Sequence, residues 1–124
     1  LSVETPQEIV FTVPGEPVPK ARARISRSGR PYLPKKTRDY QKKVALCAKA
    51  AGVKELYTGP VLVYVRFYMR NRVRKDVDNM AKSLLDGLNG VIWGDDSQVW
   101  ALIASKGIDR AYPRAEVELH FLSW

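Results

Sequence analysis

Val61-Leu-Val-Tyr-Val-Arg-Phe-Tyr-Met69 is the stretch on which the fold turns. Its β-branched and aromatic residues run almost without a break, between Gly59-Pro60 and the charged segment Arg70 to Lys75. That composition reads as a strand, and its near-continuous apolar character predicts a central one, covered on both faces. Downstream, Val77, Met80, Ala81, Leu84, Leu85 and Leu88 recur at helical spacing, with Asp78 placed to cap a helix of about eleven residues ending near Asn89-Gly90. After the Trp93-Gly-Asp-Asp96 turn, Gln98 to Lys106 and Ala115 to Leu122 read as two strands joined through Gly107 and Pro113, and a hairpin between them is expected.

Upstream, Glu8-Ile-Val-Phe-Thr-Val13 alternates and stops at Pro14-Gly15. Pro17 and Pro19 keep the next residues extended, and Lys20 to Pro34 reads as a mobile loop or small hairpin turning at Ser28-Gly29. Thr37 is placed to cap a helix from about Arg38 to Ala51, with Gly52 as its stop and Tyr40, Val44, Cys47 and Ala48 on its apolar face. The order β-α-β-α-β-β places the chain in the α+β class: a mixed sheet with two main helices packed on it. Residues 1–124 read as a single domain, with a basic loop at about 20–36.

The chain has 124 residues, 45% of them hydrophobic, which is enough to bury a core without disulfides. One cysteine, Cys47, cannot form an internal bridge, and no apolar run approaches the roughly 18 residues of a membrane span. Leu1 to Gln7 carries glutamate and proline where a signal peptide would carry positive and then apolar residues. The expectation is a soluble protein of a reducing compartment, the bacterial cytoplasm, with no membrane partner and no small-molecule cofactor.

The formal charge of +8 is concentrated. Lys20 to Lys49 holds eleven basic residues and one acid, Asp39, whereas the residues before it sum to −3 and those after it to +1. Such a field repels itself and is commonly compensated by a polyanion. Nucleic acid is the expected partner, with Lys20, Arg22, Arg24, Arg27, Arg30, Lys35, Lys36, Arg72, Arg74 and Lys75 as its contacts. A basic surface without a specific partner is the plain alternative.

Five of the six aspartates beyond Lys49 lie between Asp76 and Asp96. Aspartate is a short, hard oxygen ligand suited to Mg²⁺ or Mn²⁺, and with no cysteine cluster and only His120 a tetrahedral zinc site is disfavoured. Asp76 and Asp78, two apart in an extended approach to the helix, are expected to face one way. The Asp95-Asp96 turn is expected to fold back toward the helix face or start. Asp78, Lys82 and Asp86 stand at i, i+4 and i+8, so a lysine would sit beside the carboxylates, where it could offset charge on a phosphate in transfer. Each residue also has a plain role: Asp78 as an N-cap, Lys82 in a solvated charge ladder, Asp95-Asp96 as an ordinary turn. Together they are harder to dismiss, because several carboxylates at close quarters repel one another without a cation.

Lys75-Asp-Val-Asp-Asn-Met-Ala-Lys-Ser-Leu-Leu-Asp-Gly-Leu-Asn-Gly90, followed by Trp93-Gly-Asp-Asp-Ser-Gln-Val99, resembles the RusA family of Holliday junction resolvases, whose signature is Asp-x-Asp-Asn-x-x-Lys with a downstream Asp-Asp-x-Gln-Val. Val13-Pro-Gly-Glu-Pro-Val-Pro-Lys-Ala-Arg-Ala-Arg24 and Tyr32-Leu-Pro-Lys-Lys-Thr-Arg38 look like its phage and prophage branch. The resemblance implies a homodimer that binds four-way DNA junctions and makes paired symmetric nicks with Mg²⁺ or Mn²⁺, in DNA recombination and repair. By position it implies Asp76, Asp78 and Asp96 as catalytic acids and Lys82 as the catalytic lysine, with Asp76, Asp78, Asp96 and the adjacent Asp95, whose share is open, as metal ligands. The alternatives are a metal nuclease acting on other branched DNA or on RNA, and a non-catalytic DNA-binding protein.

Trp93 and Trp100 flank the acidic turn and read first as packing residues, with base stacking the alternative. Tyr32 is a candidate for stacking. His120, alternating with apolar neighbours, reads as structural.

Overall fold

The Val61–Met69 strand alternates: Val61, Val63, Val65 and Phe67 are wholly buried, whereas Tyr64 and Arg66 are exposed and Leu62 and Tyr68 half-buried. In this computed structural model, which describes residues 7–123, it is strand β4, and the helices cover only one of its faces. The expectation of cover on both faces is therefore corrected for the described residues. Tyr64 and Tyr68 made the run look apolar throughout, but tyrosine suits a half-wet surface, and the Tyr68 ring lies under Arg114 at 4.0 Å and Arg66 at 5.3 Å.

Around β4 stand β1 (Glu8–Pro14), β5 (Val99–Ile108) and β6 (Arg114–Phe121), in the order β1-β6-β4-β5. β6 is antiparallel to both neighbours and β5 is parallel to β4, so the sheet is mixed and the fold is α+β. The expected hairpin between the last two strands does not form, because β4 lies between them. Burial explains the order. β6 carries the buried row Ala115, Val117 and Leu119, which needs a central place, whereas the largely exposed β5 suits an edge.

The first helix, α1 (Lys35–Ala50), starts before the expected Arg38. Pro34 occupies the N-cap with φ −55°, its carbonyl accepts from Arg38 N at 3.1 Å, and Thr37 is buried inside the helix instead of capping it. Gly52, with φ +106°, ends it as expected. In α2 (Val77–Leu88) the cap is Asp76, and Asp78 falls in the first turn. Its stripe of Met80, Ala81, Leu84 and Leu88 is buried, and so are Ser83 and Gly87. A Cβ on Gly87 would meet Val44 Cβ at 2.8 Å and Gln41 O at 2.9 Å, so this glycine lets the two helices approach. The basic stretch forms a small hairpin of β2 (Arg24–Ile25) and β3 (Pro31–Tyr32), as the sequence allowed. Of Leu1 to Gln7, only Gln7 lies within the described residues. No helix among them is long and apolar enough to cross a membrane.

Candidate functional site

Strand β4, α2 and β5 form one crossover unit, and its topology decides where the acids lie. Because β5 is parallel to β4, α2 must run back along the sheet between them, so the start of α2 lies at the end of β4 and the end of α2 lies at the start of β5. Asp76 and Asp78 stand at the first end, both exposed. There the helix presents its positive pole and unpaired N–H groups, which favour ionised carboxylates. Lys82 follows one turn later, exposed and with no ion-pair partner among the described residues. Asp86 does not extend this row: its carboxylate pairs with Lys20 Nζ at 2.7 Å and accepts from Gln41 Nε2 at 3.5 Å. That pair helps hold the segment after β1 over α2, where Lys20 N also donates to Asn79 O at 2.9 Å.

The loop leading into Asp76 is fastened by residues that sequence reasoning missed. One Glu16 carboxylate accepts from Arg70 N at 3.0 Å and from Lys75 Nζ at 3.1 Å, so it closes the Arg70–Lys75 loop at both ends. Lys75 Nζ also donates to Pro17 O at 2.9 Å, and Lys106 of β5 donates to Lys75 O at 3.0 Å, one residue before Asp76. Nothing local in the sequence signals Glu16, which lies 54 residues from Arg70.

Asp95 and Asp96 stand at the other end of α2. They precede β5, and Gln98 Nε2 ties their turn to Tyr57 O at 2.7 Å and Gly59 O at 3.1 Å, just ahead of β4. The twelve residues of α2 at about 1.5 Å rise put the two acid pairs roughly 20 Å apart. The expected fold-back toward the helix start does not occur. Asp95 caps the short turn Asp96–Gln98: its carboxylate accepts from the Ser97 hydroxyl and backbone N–H, which hold it below the usual carboxylate range, and the Gln98 side chain closes the capping box. Asp96 is exposed and aimed by Trp93, whose Nε1 donates to Asp96 Oδ1 at 2.9 Å. Trp93 is completely buried, so it packs in the core and orients Asp96. Trp100 is 61% exposed.

Arg22, Arg24, Arg27, Arg30, Lys36, Arg72 and Arg74 are exposed and lack ion-pair partners among the described residues, which leaves them available to an anion. Lys35 pairs with Asp39 at 2.7 Å. Lys20 and Lys75 are engaged with Asp86 and Glu16, so their first role is to fasten loops. Tyr32 is exposed on the hairpin. Among the described residues, three groups that converge closely enough to hold one ion within a single chain are Glu8, Glu118 and His120, on the open face of the sheet, and the aspartates do not converge in this way. What Asp76 and Asp78 do offer is an all-oxygen donor pair with no thiolate or imidazole in it, the chemistry a hard dication prefers.

The sequence profile described as "Endodeoxyribonuclease RusA" matches residues 14–120. A relative in Bacillus subtilis (strain 168), the uncharacterized protein YqaN, is 34% identical over 139 residues, covering 93% of this chain and 97% of the relative.

Proposed function

This chain belongs to the RusA family of endodeoxyribonucleases, and from that membership we propose that it is a divalent-metal-dependent enzyme that resolves four-way DNA junctions by paired nicks. It works as a homodimer of single-domain protomers in the bacterial cytoplasm, in DNA recombination and repair. The observation that carries this reading is the pair of exposed carboxylates, Asp76 and Asp78, at the positive pole of α2, with Lys82, which has no ion-pair partner among the described residues, one turn away.

Asp76 and Asp78 would hold Mg²⁺ or Mn²⁺, with Asp96 as the third acid, and the ion when bound polarises the scissile phosphate and lowers the pKa of a coordinated water. Lys82, four residues after Asp78 on the same helix face, faces the phosphate and offsets its growing negative charge. Arg72 and Arg74 in the loop before Asp76, together with Arg22, Arg24, Arg27, Arg30 and Lys36, follow the DNA backbone, which predicts shape recognition and a steep loss of affinity with salt. Asp95 serves the turn that presents Asp96.

The test is Asp78→Asn. The variant is expected to bind a four-way junction as the parent does and to lose at least ~100-fold in cleavage rate, about 3 kcal/mol of transition-state stabilisation. Unchanged cleavage would remove the assignment. Comparing a junction with a flap and a linear duplex at matched salt tests the substrate: equal rates on all three would count against resolution as the activity.

A further inference from the structure

The connection from β5 to β6, residues 109–113, passes over the end of β4, because β4 lies between those two strands. Two strand spacings are roughly 10 Å, so the turn crosses the point where the chain leaves β4 for the Arg70–Lys75 loop and Asp76. Asp109 N donates to Met69 O at 2.8 Å and Gly15 N to Pro113 O at 3.0 Å, which bonds the turn to β4 and to the segment after β1. The Asp109 carboxylate accepts from the backbone N–H groups of Ala111 and Tyr112 at 3.2 and 3.1 Å, so a side chain closes the turn. Arg114 Nη1 donates to the same carboxylate and to Tyr112 O, both at 2.8 Å, with its guanidinium over the Tyr68 ring. The N–H and the carbonyl of residue 112 are thus both engaged, and its backbone is fixed. Its side chain is the opposite case: Tyr112 is 73% exposed, the most exposed large hydrophobic side chain among the described residues. A ring left in water adds nothing to the core, but on a fixed backbone it has little freedom left to lose on binding. Arg110 in the turn, and Arg70, Arg72 and Arg74 in the loop leaving β4 beside it, are exposed and have no ion-pair partner among the described residues.

We propose that Tyr112 is a base-stacking residue that reads the open centre of a branched DNA, its ring covering a bare base face at the branch point. The proposal rests on the reading of the chain as a junction nuclease, and adds to it the side chain that tells a junction from a duplex. In a continuous duplex both faces of every base are covered by neighbours, so an aromatic side chain finds nothing to stack on unless a step is first unstacked. At a branch point the last base pair of an arm can present a bare face, and stacking there is tolerant of sequence because every base has a π-face. The arginines do not make this distinction, since they meet the same phosphates in either DNA. One strand advances ~3.4 Å per nucleotide, so a turn roughly 10 Å wide beside the loop to Asp76 sets the stacked base a few nucleotides from the cut. Tyr32, the stacking candidate named by the sequence, is less suited: its hairpin pairs over only two residues a side, so fixing its ring costs more order.

The test compares the parent with Tyr112→Ala, Tyr112→Phe and Arg110→Ala. Binding to a four-way junction and to a linear duplex of the same arms is followed by fluorescence anisotropy without divalent metal, so that nothing is cut. Position 112 is exposed, so Tyr112→Ala should unfold in urea as the parent does. It is expected to weaken junction binding by roughly 10- to 100-fold, the loss of one base stack, and to leave the duplex within about 2-fold. Tyr112→Phe keeps the ring and should bind both DNAs as the parent does. Neither change removes a charge, so the salt dependence should stay the same, whereas Arg110→Ala should weaken both DNAs alike and lower the slope by about one. A direct readout uses junctions carrying iodouracil at each branch-point position in turn: irradiation of the complex should attach the base to Tyr112, as mass spectrometry would show, and the matching duplex should give no such adduct. Loss of both DNAs equally in Tyr112→Ala, or of neither, would overturn the proposal. So would a Tyr112→Phe variant as weak as the alanine, or a set of junctions with no adduct on Tyr112. A parent that binds junction and duplex equally tightly is a different failure: it removes the junction reading itself, and the stacking role with it.

Discussion

Replacing Glu16 by glutamine or alanine tests whether one carboxylate holds the entrance to the Asp76 end. Glu16 and Lys75 are 26% and 15% exposed, so their contact is largely out of water, and the same carboxylate accepts Arg70 N–H. Hydrogen bonds to charged groups contribute about 1.5–3 kcal/mol, and the water that still reaches Glu16 argues for the lower part of that range. Glutamine keeps an acceptor for Arg70 N–H but leaves the Lys75 ammonium with Pro17 O alone, so a loss of ~1–2 kcal/mol is expected. Alanine removes both contacts and should cost ~2–3 kcal/mol. Urea unfolding measures both, with an unchanged m-value as the sign that only stability moved. The same variants are then assayed for nicking at saturating junction DNA. Release of the Arg70–Lys75 loop displaces Asp76, and misplacement on the order of 1 Å lowers turnover by roughly 10- to 100-fold while binding weakens less. An alanine variant within about 0.5 kcal/mol of the parent and with parental turnover would refute the clamp.

Two further outcomes concern the side chains of Tyr40 and Asp95. Tyr40 is buried with no hydrogen-bond partner for its hydroxyl among the described residues, and burial, with Cys47 nearby, pushes the phenol above its usual pKa; Tyr40→Phe should stabilise the protein by about 1 kcal/mol, raising Tm by ~3–6 °C, and a comparable loss would mean that the hydroxyl has a partner after all. Asp95 is held below the usual carboxylate range by the Ser97 hydroxyl and backbone N–H, so its ionised form stabilises the fold above about pH 4 and that contribution is lost as pH falls through the lowered value. Asp95→Asn should therefore melt lower than the parent at pH 7 and converge with it in acid, as thermal scans from pH 7 to 3 would show; a gap independent of pH would contradict the assigned cap.

What the sequence made legible was periodic. The stripe of Met80, Ala81, Leu84 and Leu88 announced α2, and the alternation of Ile9, Phe11 and Val13 announced β1, because burial on one face imposes a period. Pairing is not periodic. Nothing in Gln98 to Lys106 or Ala115 to Leu122 states that β4 lies between them, since that depends on which strand needs two neighbours to bury its inner row. Caps slipped for a related reason: Thr37 and Asp78 have capping side chains, but Pro34 and Asp76 occupy the caps, and Thr37 is needed in the core. The aspartates were singled out by type and motif, whereas Glu16 and Lys106 act through contacts across the chain, and Trp93 through a local bond to Asp96, that composition does not encode.

The placement of Asp96 shows how a residue list read from a motif leaves open how its members are arranged in space. Between Asp76 and Asp96 the chain travels down α2 and turns, and the element that would carry it back, β5, begins only after Asp96. An acid after β5 would return to the starting end, and Asp109 does so, but Arg114 and two backbone N–H groups occupy its oxygens.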